Sequence, residues 1–417
     1  MQYPDKAVEN KRREDGLHKI SLTVQAVVDK KVCCGCGACS VICPASCIEF
    51  VYGERYNFPR IDMERCVHCG KCLEVCPSAF LLEGTDPGFR DEPAKEPFDC
   101  YLIHSKDDGI RLDASSGGFI TGMILHLMDK GLADGGIVAR CEGKQPLVAE
   151  SFIATDRESI LSARASKYAP VSSCTVLADV LKRPGRYVFV GTPCMIEALT
   201  KLQELLPKLQ EQIILKIGLV CSGMASRLST KTYIEKDGGV NMKDVHRVCY
   251  RGNGWPGRFR VFGESGRLLM DRPYLGGSLV YVVSRDHYLR CWNCLDRWGR
   301  FADIVVSDPW TEEMVASERK GRSAIMVRTE EGKQTVASAI DSGDMIADSI
   351  TIKDMHGYNK HLIIDSKHTR YGWMAAYQIL FFGRLKYLST VLKSMLKKKR
   401  IGLKTILKAR LSKHYYY

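Results

Sequence analysis

Apolar and polar positions alternate in three different ways along the chain. From residue 100 onward short apolar runs alternate with stretches of helical spacing. "RYVFVG" (186–191) and "QIILKIGLV" (212–220) predict strands, "MIEALTKLQELL" (195–206) and "MASRLSTKTYIEK" (224–236) predict helices, and "ADIVVSD" predicts a further strand. Strand and helix in alternation predict an α/β domain built on a mostly parallel sheet. "ASSGGFITGMILHLMDKG" predicts an amphipathic helix behind a run of small residues, and "YRGNGWPGRFRVFG" reads as strand, turn, strand. Ahead of this region "EGTDPGFRDEPAKEPFD" is rich in Pro, Gly and acid, which marks a linker. Beyond it, Leu385, Leu388, Leu392, Leu396, Leu403, Ile406 and Leu407 recur near helical spacing among Lys and Arg, with Gly402 as a break. The expected organisation is an α+β module over 1–82, a linker over 83–99, a larger α/β domain over 100–370 and a basic tail over 371–417.

Composition adds compartment and partners. The 417 residues are 45% hydrophobic and 26% charged, enough for two or three domains with cores. The opening "MQYPDKAVENKRREDGLHKI" has no apolar stretch of a secretory signal, and "MAAYQILFF" is shorter than the ~20 residues of a membrane span. With 18 cysteines and no export signal, metal or redox use is expected over a disulfide scaffold, in a reducing cytoplasm. Net charge is +13, and from Arg384 to Lys413 there are eleven Lys or Arg and no acid. Such a helix suits an anionic membrane surface at the inner face, or packs solvated on its own domain. Nucleic acid is not expected, because aromatic residues are not interleaved regularly among the cations, Tyr387 standing alone between Arg384 and Lys413, and no DNA-reading motif is present.

The chemistry begins with cysteine. Cys33, Cys36, Cys39 and Cys43, then Cys66, Cys69, Cys72 and Cys76, spell C-x2-C-x2-C-x3-C-P twice at an offset of 33 residues, with Asp29 and Asp62 repeating ahead of them. Three closely spaced thiolates wrap one cube while the fourth, before proline, crosses to the other. Cys33, Cys36, Cys39 and Cys76 are therefore assigned to one 4Fe-4S cluster, and Cys66, Cys69, Cys72 and Cys43 to a second. Zinc is the alternative, but zinc knuckles rarely carry a third cysteine at this spacing and a closing Cys-Pro. Cys34 and Cys47 fall outside the pattern, as neighbours of the clusters. His68, between ligands, reads as a tuning neighbour or a surface residue.

Cys194 in "GTPC" and Cys221 in "LVCSG" each follow a predicted strand, and Cys291 and Cys294 form a C-x-x-C ahead of another. At one edge of a parallel sheet these four could close a third 4Fe-4S site. A redox disulfide of the 291/294 pair, or buried inert thiols at 194 and 221, are equally open on spacing. Ser115, Ser116, Gly117 and Gly118 at a helix mouth suit a phosphate, and Arg164, Ser166, Lys167 and Tyr168 in "SARASKYAP" suit a diphosphate and a stacked heterocycle; an ordinary helix cap and an ordinary loop are the alternatives. Gly252, Gly254 and Gly257 fit G-x-G-x-x-G, but Pro256 and the missing strand-to-helix step exclude a dinucleotide fingerprint. No Ser-His-Asp or paired-carboxylate arrangement stands out.

Together, "SSGGF", "SKYAP", "GTPC", "LVCSG", "YRGNGWPGRF" and "CWNCLDRWGRFADIVVSDPW" resemble the family of coenzyme F-420 hydrogenase/dehydrogenase beta subunits, from about Cys100 to about residue 365. The resemblance implies that the third cluster is present, that FAD is bound, and that the flavin exchanges hydride with F-420. It implies FAD contacts at Ser115 to Gly118, Lys167, Tyr168 and Thr192. It also places Asp308 at the family's Gly-Asp position, with Ser307 in place of the glycine. Relatives include hydrogenase, formate dehydrogenase and sulfite reductase partners, ferredoxin-dependent reductases of chlorophyll-type rings, and proteins associated with surface polysaccharide synthesis. The expected function is an iron-sulfur flavoprotein oxidoreductase between reduced F-420 or ferredoxin, or a partner oxidoreductase subunit, and an acceptor. The alternatives are a ferredoxin-dependent reductase of an organic substrate, as in surface polysaccharide synthesis, and a non-catalytic electron-transfer adaptor.

Overall fold

The computed structural model describes residues 23–83, 99–276, 279, 286–360 and 380. The expected linker, all but its two end residues, and the basic helix over 385–413 lie outside the described residues.

The N-terminal module carries the sequence repeat into its backbone. Helix α1 (Val24–Asp29) is followed by the short helices α2 (Ala38–Ile42) and α3 (Lys71–Glu74), with the antiparallel hairpin β1 (Ile48–Tyr52) and β2 (Asn57–Ile61) between them. Each short helix is entered through a left-handed glycine, Gly37 at φ 90° and Gly70 at φ 78°. Two residues earlier Gly35 (φ 69°) and His68 (φ 51°) repeat the same left-handed step. These residues lie 33 apart, like the cysteines, because a loop that wraps three thiols around one centre must reverse its curl at the same points.

The body is an eight-stranded sheet. In chain order its strands are β3 (Asp99–Ser105), β4 (Gly135–Arg140), β5 (Glu150–Ala154), β6 (Tyr187–Gly191) and β7 (Ile213–Leu219). A separate three-stranded sheet follows, β8 (Arg247–Cys249), β9 (Arg258–Phe262) and β10 (Leu268–Pro273), before β11 (Ile304–Ser307), β12 (Ser323–Val327) and β13 (Met345–Ile350) complete the large one. Its order is β13-β3-β12-β11-β7-β6-β4-β5. The strands predicted at 186–191, 212–220 and "ADIVVSD" are β6, β7 and β11, and the strand-turn-strand reading of "YRGNGWPGRFRVFG" is met by β8 pairing antiparallel with β9. The predicted helix over 195–206 runs Pro193–Leu205, whereas that over 224–236 is helical over Arg227–Thr232 and widens into a looser turn at Tyr233–Asp237.

The sheet is mixed, which corrects the expectation of a mostly parallel one. Only β4, β6, β7 and β11 run parallel to their neighbours in that group. The short 141–149 connection cannot cross over, so β5 pairs antiparallel with β4; at the other side β12 returns antiparallel between β11 and β3, and β13 pairs antiparallel with β3.

Alternate residues of the parallel strands feed two layers. Val188, Leu215, Ile217, Ile304 and Val306 pack against Phe119, Met123, Ile124 and Leu127 of helix Phe119–Asp129 and against Val336 and Ala339 of helix Glu330–Asp341. Phe189, Ile213 and Val305 face Ile196, Leu199 and Leu202 of helix Pro193–Leu205, and this layer runs on without a break into Val24, Val27, Val32, Tyr56, Phe58 and Leu81 of the module. The module is thus seated on one face of the body through a shared core. Among the described residues no helix is long and apolar enough to cross a membrane.

Candidate functional site

β3, β6, β7 and β11 all finish at one edge of the sheet, and β12 starts there, because Ser307 pairs with Ala324 and Ser323 with Ile103. Chemistry-bearing residues follow those ends in a row: Ser115 to Gly118 after β3, Asp308 after β11, Cys221 after β7, and Thr192 and Cys194 after β6. This is the edge where ligands gather in open α/β sheets.

Cys291 and Cys294, on and just after the helix Leu289–Trp292, are brought to the same place. Cys221 lies in the electrostatic field of Cys291, Cys194 and Cys294; Cys291 lies in that of Cys194 and Cys294, and Cys294 in that of Cys194. The four thiols therefore form one half-buried group. Burial pushes the Cys291 thiol up to about 12, so filling the site with metal must expel protons. Met224 N–H points at Cys291 Sγ (3.4 Å), Thr192 Oγ1 stands 3.3 Å from Cys194 Sγ, and Cys294 Sγ donates to the Asp296 carbonyl at 2.9 Å.

The structure brings the module's cysteines together in two groups. Cys43, Cys66, Cys69 and Cys72 line one cavity, with Cys47, Ile48 and Ile61 beside them. Cys39 lies in the field of Cys33 and Cys76, and Cys33 in that of Cys76; Cys36 lies in that of Cys39. The fourth cysteine of each repeat thus stands with the other repeat's first three. Backbone N–H groups aim at sulfur in both sets, Gly35 at Cys33 (3.3 Å) and Val24 at Cys72 (3.4 Å), a contact that tunes cluster potentials. Cys47 Sγ is 3.5 Å from Cys43 Sγ, and Cys34 is hydrogen-bonded with both Cys36 and Cys194, so the two cysteines outside the pattern are neighbours of the sets. Among the described residues no three His, Cys, Asp or Glu side chains converge on a single ion. A cube asks for something else, since each thiolate takes its own iron corner. In donor chemistry and grouping all three sets fit such a cluster.

Exposure orders the sets. Cys69 is exposed and Cys43 and Cys66 half-buried, whereas Cys33, Cys36, Cys39 and Cys76 are buried under the body. A polar seam locks that arrangement: Arg55 pairs with Asp286 at 2.7 Å, Asn57 N donates to Tyr288 Oη at 2.8 Å, Ser172 Oγ donates to Gly35 O at 2.7 Å, and Arg227 donates to Asn57 Oδ1 at 2.8 Å.

Further along the edge a fully buried Arg251 organises what the sequence suggested separately. Its guanidinium pairs with Asp308 (3.3 Å) and donates to Tyr168 Oη (3.2 Å), Ser115 O (2.6 Å) and Pro256 O (2.7 Å). It lies 4.2 Å from the centroid of Tyr274 and 5.3 Å from that of Trp310, while Trp255 Nε1 donates to Asp308 Oδ1 at 3.1 Å. Arg251, Trp255, Tyr274 and Trp310 were missed by the sequence reading, although Arg251 stands beside the glycines of "YRGNGWPGRF".

The suggested cofactor contacts divide. Helix Phe119–Asp129 has no side-chain cap and is led by Gly118 at φ 74°, while the N–H of Gly117 just before it donates to Ser323 Oγ at 3.0 Å. The side chains beside it are engaged with protein: Ser115 Oγ accepts from Ser166 N (2.7 Å), Ser116 Oγ bonds Ser323 Oγ (2.8 Å), and Arg164 pairs with Asp113 (3.2 Å). Lys167 donates to the carbonyls of Ala163, Arg164 and Ala165, and burial pulls its pKa down to about 8. Thr192 belongs with Cys194 rather than with the Arg251 group. The side chains of Ser115, Ser116, Arg164 and Lys167 are thus all engaged with protein.

Comparisons with known proteins point to one family. The family profile for the coenzyme F-420 hydrogenase/dehydrogenase beta subunit matches with its N-terminal part over residues 100–178 and its C-terminal part over 185–353, and a 4Fe-4S dicluster domain matches 32–80. A subunit of the F(420)H(2) dehydrogenase of Methanosarcina mazei is 23% identical over 317 residues, covering 74% of this chain and 85% of that one. The coenzyme F-420-dependent sulfite reductase of Methanocaldococcus jannaschii is 26% identical over 333 residues, 74% of this chain and 46% of that one. In structure the chain is similar to a chain of the F-420-reducing [NiFe] hydrogenase complex from Methanosarcina barkeri, with TM-score 0.52 and 23% identity over 66% of this chain and 92% of that one.

Proposed function

The chain belongs to the family of coenzyme F-420 hydrogenase/dehydrogenase beta subunits and carries a 4Fe-4S dicluster module, and from that membership we propose that it is an iron-sulfur flavoprotein subunit passing electrons between reduced F-420 or ferredoxin and an acceptor. The observation that carries the proposal is the gathering of Cys194, Cys221, Cys291 and Cys294 at the sheet edge, next to the buried cysteine set of the module through Cys34.

Cys33, Cys36, Cys39 and Cys76 would hold one cluster, Cys43, Cys66, Cys69 and Cys72 a second, and Cys194, Cys221, Cys291 and Cys294 a third; such clusters supply one-electron carriers. FAD, held by the N-terminus of helix Phe119–Asp129 and the Tyr168 side, would supply the exchange between a hydride and single electrons. The chain's own residues do the rest. Cys69 opens one set to the outside, while the Arg55–Asp286 and Asn57–Tyr288 seam keeps the other set against the body and excludes water there. Arg251 fixes Tyr168 and Asp308 at the edge, ready to orient a ring system. A partner oxidoreductase subunit is proposed on the same grounds, since the relatives include components of F-420 hydrogenase and F(420)H(2) dehydrogenase.

Iron and FAD per chain after anaerobic purification, wild type against Cys291→Ser, test the proposal. About twelve irons with one FAD, falling by about four in the variant, are expected. About eight irons in both proteins would refute the third cluster, and a flavin-free protein would leave an adaptor.

A further inference from the structure

Arg290 stands one residue before Cys291 and is buried between the two parts of the molecule. Its Nε donates to Ser78 Oγ at 3.0 Å and its Nη2 to Pro77 O at 3.1 Å, both just after Cys76. Its Nη1 donates to Asn293 O at 2.9 Å, between Cys291 and Cys294, and the guanidinium lies 5.1 Å from the centroid of Phe80. One side chain is therefore anchored both on the turn that carries a cysteine of the module's buried set and on the loop that joins two cysteines of the sheet-edge set.

Every bonded partner of this cation is neutral. Among the described residues no carboxylate is ion-paired with Arg290; Glu197 contributes to its field, but Glu197 is itself paired with Lys201 at 3.0 Å. A guanidinium stays charged at any accessible pH, and a buried charge without a counter-charge is strongly unfavourable. Besides Glu197, three sulfurs lie in its field, Cys294, Cys34 and Cys194, and Cys76 lies in the field of Arg290 and Lys201 together. Thiols carry no charge, whereas thiolates around a cluster are anionic, so ligation supplies the missing counter-charge.

Resting on the reading of Cys194, Cys221, Cys291 and Cys294 as a cluster site, we propose that Arg290 is the shared counter-cation of the module's buried cysteine set and the sheet-edge set, a positioning residue that raises the reduction potential of the cluster at the sheet edge. Reduction adds one negative charge to a cluster. A cation held still by three hydrogen bonds stabilises the reduced form more than the oxidised one. Because it bonds both Pro77 and Asn293, Arg290 also fixes the distance between the two sets.

The test uses the full chain, purified anaerobically, as wild type, Arg290→Gln and Arg290→Lys, with iron counted first and a redox titration followed by EPR afterwards. Arg290→Gln is expected to keep about twelve irons. Its one-electron reduction equilibrium for the sheet-edge cluster should move at least tenfold toward the oxidised form, a fall of about 59 mV. Arg290→Lys keeps the charge and loses the fork, and should stay within threefold of wild type. Full iron with no shift in Arg290→Gln, or equal shifts in the Gln and Lys variants, would overturn the proposal and leave Arg290 a latch. Wild type with about eight irons would instead remove the cluster reading on which it rests, and the iron count separates the two failures. Where Arg290→Gln does not assemble, Arg290→Lys and Ser78→Ala carry the test. Both keep the charge and should stay within threefold of wild type, and a tenfold shift in either overturns the proposal.

Discussion

Arg251→Met removes the cation at the centre of the sheet-edge group. The Arg251 side chain is 0% exposed and that of Asp308 17%, with 3.3 Å between Nη1 and Oδ2. At that separation and an effective dielectric of about 20 the gross attraction is about 5 kcal/mol, and breaking one side of a buried pair costs about 3–5 kcal/mol because the partner is left uncompensated. Trp255 Nε1 still reaches Asp308, which limits the loss; the stacking on Tyr274 disappears, which adds to it. For a domain of this size each kcal/mol moves the midpoint by about 2–4 °C, so anaerobic thermal unfolding at a fixed scan rate should drop by about 6–20 °C. The cycle with Asp308→Asn isolates the pair: a coupling of at least about 1.5 kcal/mol is expected. If the two single losses simply add, or Arg251→Met lowers the midpoint by less than about 2 °C, Arg251 does not organise this edge.

Two further predictions use different chemistry. Gly37→Ala and Gly70→Ala both place a Cβ at positive φ, which costs about 1–2 kcal/mol, but only at Gly37 would that atom meet a neighbour, Thr175 Cγ2 at 2.3 Å. Overpacking there adds about 1–3 kcal/mol, so in urea Gly37→Ala should release its iron at clearly lower denaturant than Gly70→Ala, and equal behaviour would contradict the docked placement of the first loop. Lys167 has its pKa lowered by burial from 10.5 to about 8, so between those values the unfolded chain binds the extra proton. Relative to Lys167→Met, wild type should gain stability as pH rises through that window, by up to about 1.4 kcal/mol per pH unit; a flat difference between the two proteins would show that the carbonyls of the 163–165 turn hold the ammonium charged throughout.

The cysteine pattern made most of the module legible, because iron ligation ties spacing to backbone: the offset of 33 residues in the sequence reappears as paired left-handed steps at 35/68 and 37/70. The strands β6, β7 and β11 were legible as apolar runs, and with them the edge that collects Cys194 and Cys221. Strand direction was not. The antiparallel β12 is buried on both faces and so reads as an apolar run just as β11 does, and only the short 141–149 connection hinted at the turn back. Arg251 and Arg290 were hidden for another reason. A cation in a sequence reads as surface, and what buries these two, Asp308 for one and neutral carbonyls near Cys76 for the other, comes from far along the chain. Lys167 erred in the opposite sense: a lysine in "SKYAP" looks available, but the local turn offers it three carbonyls.

A duplicated motif starts as two interchangeable copies, and in this chain the interchange has been lost. A Cβ at Gly35 would lie 2.4 Å from Tyr288 Oη and one at Gly37 would strike Thr175, while nothing stands within 4 Å of Gly70. The loop of the first copy has become a plug shaped to its socket, while the second copy meets the body beyond its loop, at Cys76 to Ser78, through Lys201 and Arg290. For grafting, that asymmetry says where to cut: a foreign ferredoxin could lend its second loop to this body with little adjustment, but any donor of the first loop would have to bring small residues at both positions. The same inequality leaves the second copy freer to drift, so the ancestry of the pair should be easier to trace through residues 33–39 than through 66–72.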